Sequence, residues 1–233
     1  MKEQYNRILK GLHELNPNPF MDSVRRCINE WPETIDIFAD ALSIGQVQSK
    51  KWLIEELLNT NRSLGVVYLI GGWYGTLAYL IMQENLEIER LISIDIDDSC
   101  LDVAQRLNLE NTNKWKFKAI TENAYKLNYG RFKKDEFDFF SKTRNEIVKV
   151  TTEPQTVINT SCEHFGNFSD WYNKLADGTF LILQSNNFFE VDDHVNCSLD
   201  ITDFKNSAPM TTLLYEGTLK LEKYDRFMLI GYK

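Results

Sequence analysis

Residues Val66-Val67-Tyr68-Leu69-Ile70-Gly71-Gly72-Trp73-Tyr74-Gly75-Thr76 carry an apolar run into three closely spaced glycines. An apolar helical segment, Thr76 to Met82, follows at once. A buried strand that stops on glycines and opens a helix makes a tight turn. There backbone N–H groups approach a ligand closely, and the helix N-terminus favours negative or electron-rich groups. A second apolar run, Leu91-Ile92-Ser93-Ile94, ends in Asp95-Ile96-Asp97-Asp98. An acid about 20 residues beyond such a turn is placed to hold the hydroxyls of a nucleotide ribose. The two features together point to a nucleoside-containing cofactor, and neither alone does.

A second set of groups lies further along. The predicted strand 156–160 leaves through Asn159-Thr160-Ser161-Cys162-Glu163-His164, and a long loop carries Ser185-Asn186-Asn187 and Asp192-Asp193-His194. His164 and His194 each follow the carboxyl end of a predicted strand, where open parallel sheets bind ligands. His164 with Glu163 is the candidate general base pair, a role worth about 100- to 10,000-fold. The plainer reading has Glu163 capping or solvating the next helix while His164 packs. Asn186 and His194 are candidate substrate contacts, set against ordinary turn chemistry. Glu163, His164, Asp192 and His194 could together bind zinc or iron. No helix-spaced histidine pair or CxxC supports that set, and no metal is expected. Cys162 reads as a thiolate nucleophile or as a small buried residue. Trp73 and Tyr74 could stack on a cation or pack against helices before the turn.

The elements that must position these groups alternate. Helices are predicted at 33–44 and 47–60, after a helix broken at Asn16-Pro17-Asn18-Pro19 and one that Asp22 or Ser23 would cap. Strands follow at 66–70, 91–95, 115–119, 156–160 and 179–184, with helices at 75–84, 98–108 and 168–176. Residues 125–153 read as one helix plus an exposed connection, and 185–210 as a loop. Strands at 212–220 and 225–232 join through a hairpin-like turn. Lys114-Trp115-Lys116-Phe117-Lys118 reads as an alternating strand with its lysines in solvent. This alternation gives a Rossmann-like α/β fold: a doubly wound, mostly parallel sheet with an antiparallel last strand. Residues 1–63 form a helical segment, a flank or a lid, and 64–233 form the α/β domain.

Lys and Arg total 26 against 34 Asp and Glu, a formal charge of −8. That balance disfavours nucleic-acid substrates. No apolar run approaches a membrane span, and Met1-Lys2-Glu3-Gln4-Tyr5 begins no apolar signal core. Cys27, Cys100, Cys162 and Cys197 are scattered, which suits reduced thiols and a cytoplasmic location. The oligomeric state is left open.

The ordered features resemble the class I S-adenosylmethionine-dependent methyltransferases over about residues 64–233. In that family a glycine-rich turn wraps the methionine part of the cofactor and an acid ending the second strand holds the ribose. The resemblance implies S-adenosyl-L-methionine as cofactor, with contacts from Gly71, Gly72, Trp73, Gly75, Asp95, Ile96, Asn123, Ala124 and Asn159. It sets Asn159, Glu163 and His164 facing a small polar methyl acceptor, with Asn186 and His194 as further substrate contacts. Trp73 stands where the family has its middle glycine, and Leu69 where an acid often precedes the turn. Those departures favour one alternative, a non-catalytic cofactor-binding or partner module. The other is an NAD(P)-dependent oxidoreductase.

Overall fold

The computed structural model describes residues 2–141 and 145–233. In chain order the elements are helices α1 (Lys2–Leu15), α2 (Pro19–Glu30), α3 (Ile35–Ala41) and α4 (Ile44–Asn59). Then come strand β1 (Gly65–Ile70), α5 (Thr76–Gln83), β2 (Ile88–Asp95), α6 (Cys100–Leu107), α7 (Leu109–Asn113) and β3 (Phe117–Thr121). They continue as β4 (Asp135–Ser141), β5 (Glu146–Thr152), β6 (Thr156–Asn159), α8 (Phe168–Tyr172) and β7 (Phe180–Asn186). The last are α9 (Ile201–Ser207), β8 (Thr212–Lys220) and β9 (Asp225–Tyr232). Contacts divide the chain into two compact units, Met1–Ser63 with Gly71–Glu122, and Leu64–Ile70 with Asn123–Lys233.

In the first unit β2 pairs with β3 in parallel, Leu91 opposite Phe117 and Asp95 opposite Thr121. The helices before β1 belong to this unit. Asn18 caps α2, its side-chain oxygen accepting from the amides of Phe20 and Met21, and Pro19 takes the first helical position. Asp22, expected as the cap, lies inside the first turn and pairs with Arg25 and Arg26. Val24, Cys27, Ile28 and Phe38 pack with Tyr74, Tyr79, Cys100, Val103 and Leu107 in one core. Phe38 and Tyr74 meet at 5.1 Å between ring centroids, Phe20 and Tyr79 at 4.9 Å. Lys118 does not reach solvent as expected. It is 5% exposed, and its ammonium lies 3.8 Å from the Trp115 ring centroid.

In the second unit the strand order is β1-β6-β7-β9-β8. β1, β6 and β7 pair in parallel. β9 runs antiparallel between β7 and β8. The parallel strands read as unbroken apolar runs because both faces are covered. The parallel pairings in both units and the antiparallel close are those of the mostly parallel Rossmann-like class. The hairpin at the chain end forms as expected, but both of its strands are antiparallel to their neighbours.

Among the described residues of 135–152 there is no helix. β4 and β5 pair antiparallel, with Asp135, Phe137, Phe139 and Ser141 inward and Glu136, Asp138 and Phe140 outward. That period of two, with β-branched residues in β5, outweighs the polar composition that suggested a helix. The expected loop 185–210 likewise contains α9, which Asp200 caps by accepting from the Asp203 amide at 2.8 Å.

Asp135 anchors the hairpin. It is 2% exposed, and it accepts from the amides of Asn128 at 2.7 Å and Tyr129 at 3.1 Å. Asp135→Ala leaves both amides without their acceptor and is expected to cost on the order of 2–4 kcal/mol. Urea unfolding measures this as a lowered midpoint at unchanged slope.

Candidate functional site

The glycine turn and the end of β2 are bonded to each other within the first unit. The amides of Gly71 and Gly72 donate to the Ile94 carbonyl at 2.9 and 3.3 Å. The Trp73 amide donates to Asp95 Oδ2 at 2.8 Å, and Asp95 Oδ1 accepts from the Asp97 amide at 3.1 Å. Gly75 donates to the Gly72 carbonyl at 2.8 Å, so these amides are spent inside the protein. Asp97 lies beyond, exposed, and the Ser99 hydrogen bonds hold its carboxyl below the usual range. Ile96 is 71% exposed, an apolar side chain left open beside the Asp95 carboxylate.

The turn needs left-handed backbone at Gly71 (φ 62°), Trp73 (φ 49°) and Gly75 (φ 72°). Gly75 is further constrained by space, because a Cβ there would stand 2.7 Å from Asn108 Nδ2. That same Asn108 nitrogen donates to the Gly75 carbonyl at 3.1 Å. Trp73 is half-buried and packs against the core that holds Tyr74, while Tyr74 itself is 3% exposed. Tyr74 therefore packs on the preceding helices rather than facing a ligand.

The second set of groups gathers in the second unit, beyond the carboxyl ends of β6 and β7. Asn159 is fully buried. Its side-chain oxygen takes the Ser161 amide at 2.9 Å, while its Nδ2 has no partner among the described residues. Glu163 is 3% exposed. Its Oε1 accepts from Asn186 Nδ2 at 2.7 Å and lies 3.4 Å from Arg226 Nη2. It neither caps nor solvates a helix. His164, exposed, sets Nδ1 3.0 Å from the Asp193 carbonyl. His194, half-buried, sets Nδ1 2.8 Å from the Phe188 carbonyl. The two imidazoles meet edge to face at 4.8 Å between centroids. Asp192 is exposed and stands outside this group.

Cys162 is fully buried, and burial pushes its thiol well above the ordinary range, which is a poor setting for a nucleophile. Asn123 accepts the Tyr125 amide at 2.9 Å and so caps a short 3-10 turn that begins at Ala124. Sequence reasoning missed Arg226, 4% exposed, which donates to the Thr160 carbonyl and to Gln184 Oε1. Its signal was there: a charge heading the apolar run Phe227-Met228-Leu229-Ile230 stays buried only with a partner.

No family model matches the chain. No curated protein matches it by sequence. Solved structures do. The N-methyltransferase NodS from Bradyrhizobium japonicum WM9 aligns over 83% of this chain and 98% of its own, at 11% identity and a TM-score of 0.56. The same enzyme in complex with S-adenosyl-L-homocysteine aligns over 92% and 98%, at 10% identity and a TM-score of 0.56. The PH0226 protein from Pyrococcus horikoshii OT3 aligns over 88% and 99%, at 16% identity and a TM-score of 0.53. At such identities the likeness establishes the fold, the Rossmann-like one that the sequence pattern implies. Among the described residues no helix is long and apolar enough to cross a membrane.

Gly75→Ala puts a side chain on left-handed backbone against Asn108. The expected loss is on the order of 1–3 kcal/mol. Thermal unfolding reads it as a Tm lowered by several degrees.

Proposed function

We propose that this chain binds S-adenosylmethionine at the glycine turn of its first unit and transfers the methyl group to a small polar acceptor. The observation that carries the reading is the bonded pair of turn and acid, Trp73 amide to Asp95 carboxylate at 2.8 Å. Each carboxylate oxygen accepts more than one hydrogen bond. Asp95 therefore keeps capacity for two ribose hydroxyls after serving the Trp73 and Asp97 amides. Exposed Ile96 offers an apolar face for a base beside it. The fold shared with NodS, which was crystallised with S-adenosyl-L-homocysteine, supports the choice of cofactor.

When bound, the cofactor supplies an electrophilic methyl on a sulfonium. The protein's share is to position the acceptor and exclude water, which can lower a barrier by roughly 7–11 kcal/mol at best. Within the second unit, Asn159 Nδ2, a buried donor without a partner among the described residues, is suited to hold a ligand oxygen. The carbonyls of Asp193 and Phe188 accept hydrogen bonds from Nδ1–H of His164 and His194, which leaves both Nε2 lone pairs free to accept a hydrogen bond or bind an electrophile. A −8 chain also suits a cationic cofactor.

Trp73 in place of a glycine and the internal use of the turn amides favour a second reading, a binding module without turnover. Calorimetry with S-adenosyl-L-homocysteine separates these from a nicotinamide enzyme. Heat saturating below millimolar ligand is expected, with no NADH fluorescence change. Asp95→Ala removes hydrogen bonds to a charged group and should weaken that binding about 10- to 100-fold. Absence of heat at millimolar ligand defeats the proposal, and an unchanged affinity removes Asp95 from the site. Cofactor binding without methyl transfer across a panel of small acceptors selects the second reading.

A further inference from the structure

We infer that Glu163, His164 and His194 form a binding site for a divalent transition-metal ion. One ligand atom from each, a carboxylate oxygen and two imidazole nitrogens, lies within 4.8 Å of the others. Glu163 and His164 are neighbours in the sequence, His194 lies 30 residues beyond, and the fold brings the three together.

The free valences are the right ones. Glu163 Oε1 is taken by Asn186 and Arg226. Its Oε2 is buried and has no hydrogen-bond partner among the described residues. The residue is 3% exposed, and leaving such an oxygen unpaired is costly. Both histidines meet a backbone carbonyl through Nδ1, at 3.0 and 2.8 Å. A carbonyl accepts only, so Nδ1 carries the proton and Nε2 presents its lone pair. Metal-ligating histidines are oriented in this way, with the outer nitrogen donating to a carbonyl or carboxylate. Asn186 and Arg226 do the same service for the carboxylate.

Donors sharing one ion sit about 2.0–2.2 Å from it. The three groups must therefore draw in by roughly an ångström from their present spacing; His164 is exposed and His194 half-buried. Two imidazoles and one carboxylate suit zinc, manganese, iron or cobalt, whereas Mg2+ prefers an all-oxygen shell. Three protein ligands leave coordination positions open, which is the pattern of catalytic rather than structural metals. The ligand class for those positions is an oxygen donor, a hydroxyl or carboxylate. The metal site lies within the second unit and does not rest on the methyltransferase reading.

Co2+ titrated into the full chain after EDTA treatment tests the site, followed by its visible d–d absorption and by calorimetry. Saturation at one ion per chain is expected, with Zn2+ displacing the cobalt and a hundredfold excess of Mg2+ leaving it in place. His164→Ala and His194→Ala should each weaken Co2+ on the order of tenfold or more. Both must melt in EDTA at the wild-type temperature, and His164→Gln, at an exposed position, repeats the measurement if either alanine variant does not. No saturable binding, or an affinity that none of these variants changes, overturns the inference. S-adenosyl-L-homocysteine calorimetry on the same sample keeps the two readings apart. Cofactor binding without cobalt removes only the metal site, and cobalt without cofactor removes only the methyltransferase reading.

Discussion

The Asp95 carboxylate closes the turn against which the first unit is assembled. Trp73 sits in left-handed backbone, which costs a non-glycine residue roughly 1–2 kcal/mol. The bond from its amide to Asp95 is charge-assisted and worth about 1.5–3 kcal/mol, so it can hold that strain. With the turn fixed, Tyr74 points into the core where Phe38, Val24 and Cys27 meet it. The helices before β1 are thereby packed on the turn itself. Loosening Asp95 would release the Trp73 strain and unseat Tyr74 together.

The second unit is held differently. Its parallel strands β1, β6 and β7 are mostly apolar, yet the carboxyl ends of β6 and β7 carry Asn159, Ser185, Asn186 and, just beyond, Glu163, all at most 3% exposed. Asn159 Nδ2, Ser185 Oγ and Glu163 Oε2 find no partner among the described residues. Each buried polar atom left unpaired costs on the order of 1–3 kcal/mol. An apolar set of similar shape would be more stable there. That cost is concentrated beside the buried Arg226–Glu163 pair. Elsewhere in the unit buried groups are matched: Asp135 is fully bonded, and Trp171 Nε1 donates to Tyr129 Oη at 2.8 Å.

What the sequence disclosed follows from the range of the interactions. The glycine turn, Asp95 and their closeness were legible because an apolar run, a turn and a second run fix one another over 25 residues or so. The terminal hairpin was legible for the same reason. β4 and β5 were not, since Phe137, Phe139 and Phe140 crowd the pattern and hide its alternation beneath charged neighbours. α9 escaped because a seven-residue helix shows little periodicity, although Asp200 and Asp203 bracket its first turn. Arg226 looked like the edge of a strand until Glu163 appeared beside it.

The sequence named Glu163, His164 and His194, with Asp192, as one possible metal set, but no spacing fixed their meeting. Adjacent residues in a 3-10 turn, Cys162–His164 here, project about 120° apart. Glu163 therefore turns inward while His164 turns out, and no spacing rule predicts that both border one point. The convergence is made by the loop after β7. Its Asn196 amide donates to the Glu163 carbonyl at 2.8 Å, and Asn196 Nδ2 donates to the Cys162 carbonyl at 3.1 Å. Ser198 then bonds back to the Asn186 carbonyl at 3.0 Å. These are contacts of the main chain and one neutral amide, and none uses an imidazole. The imidazoles then add to this frame rather than make it: His164 Nδ1 meets the Asp193 carbonyl of the same loop at 3.0 Å and His194 Nδ1 the Phe188 carbonyl at 2.8 Å.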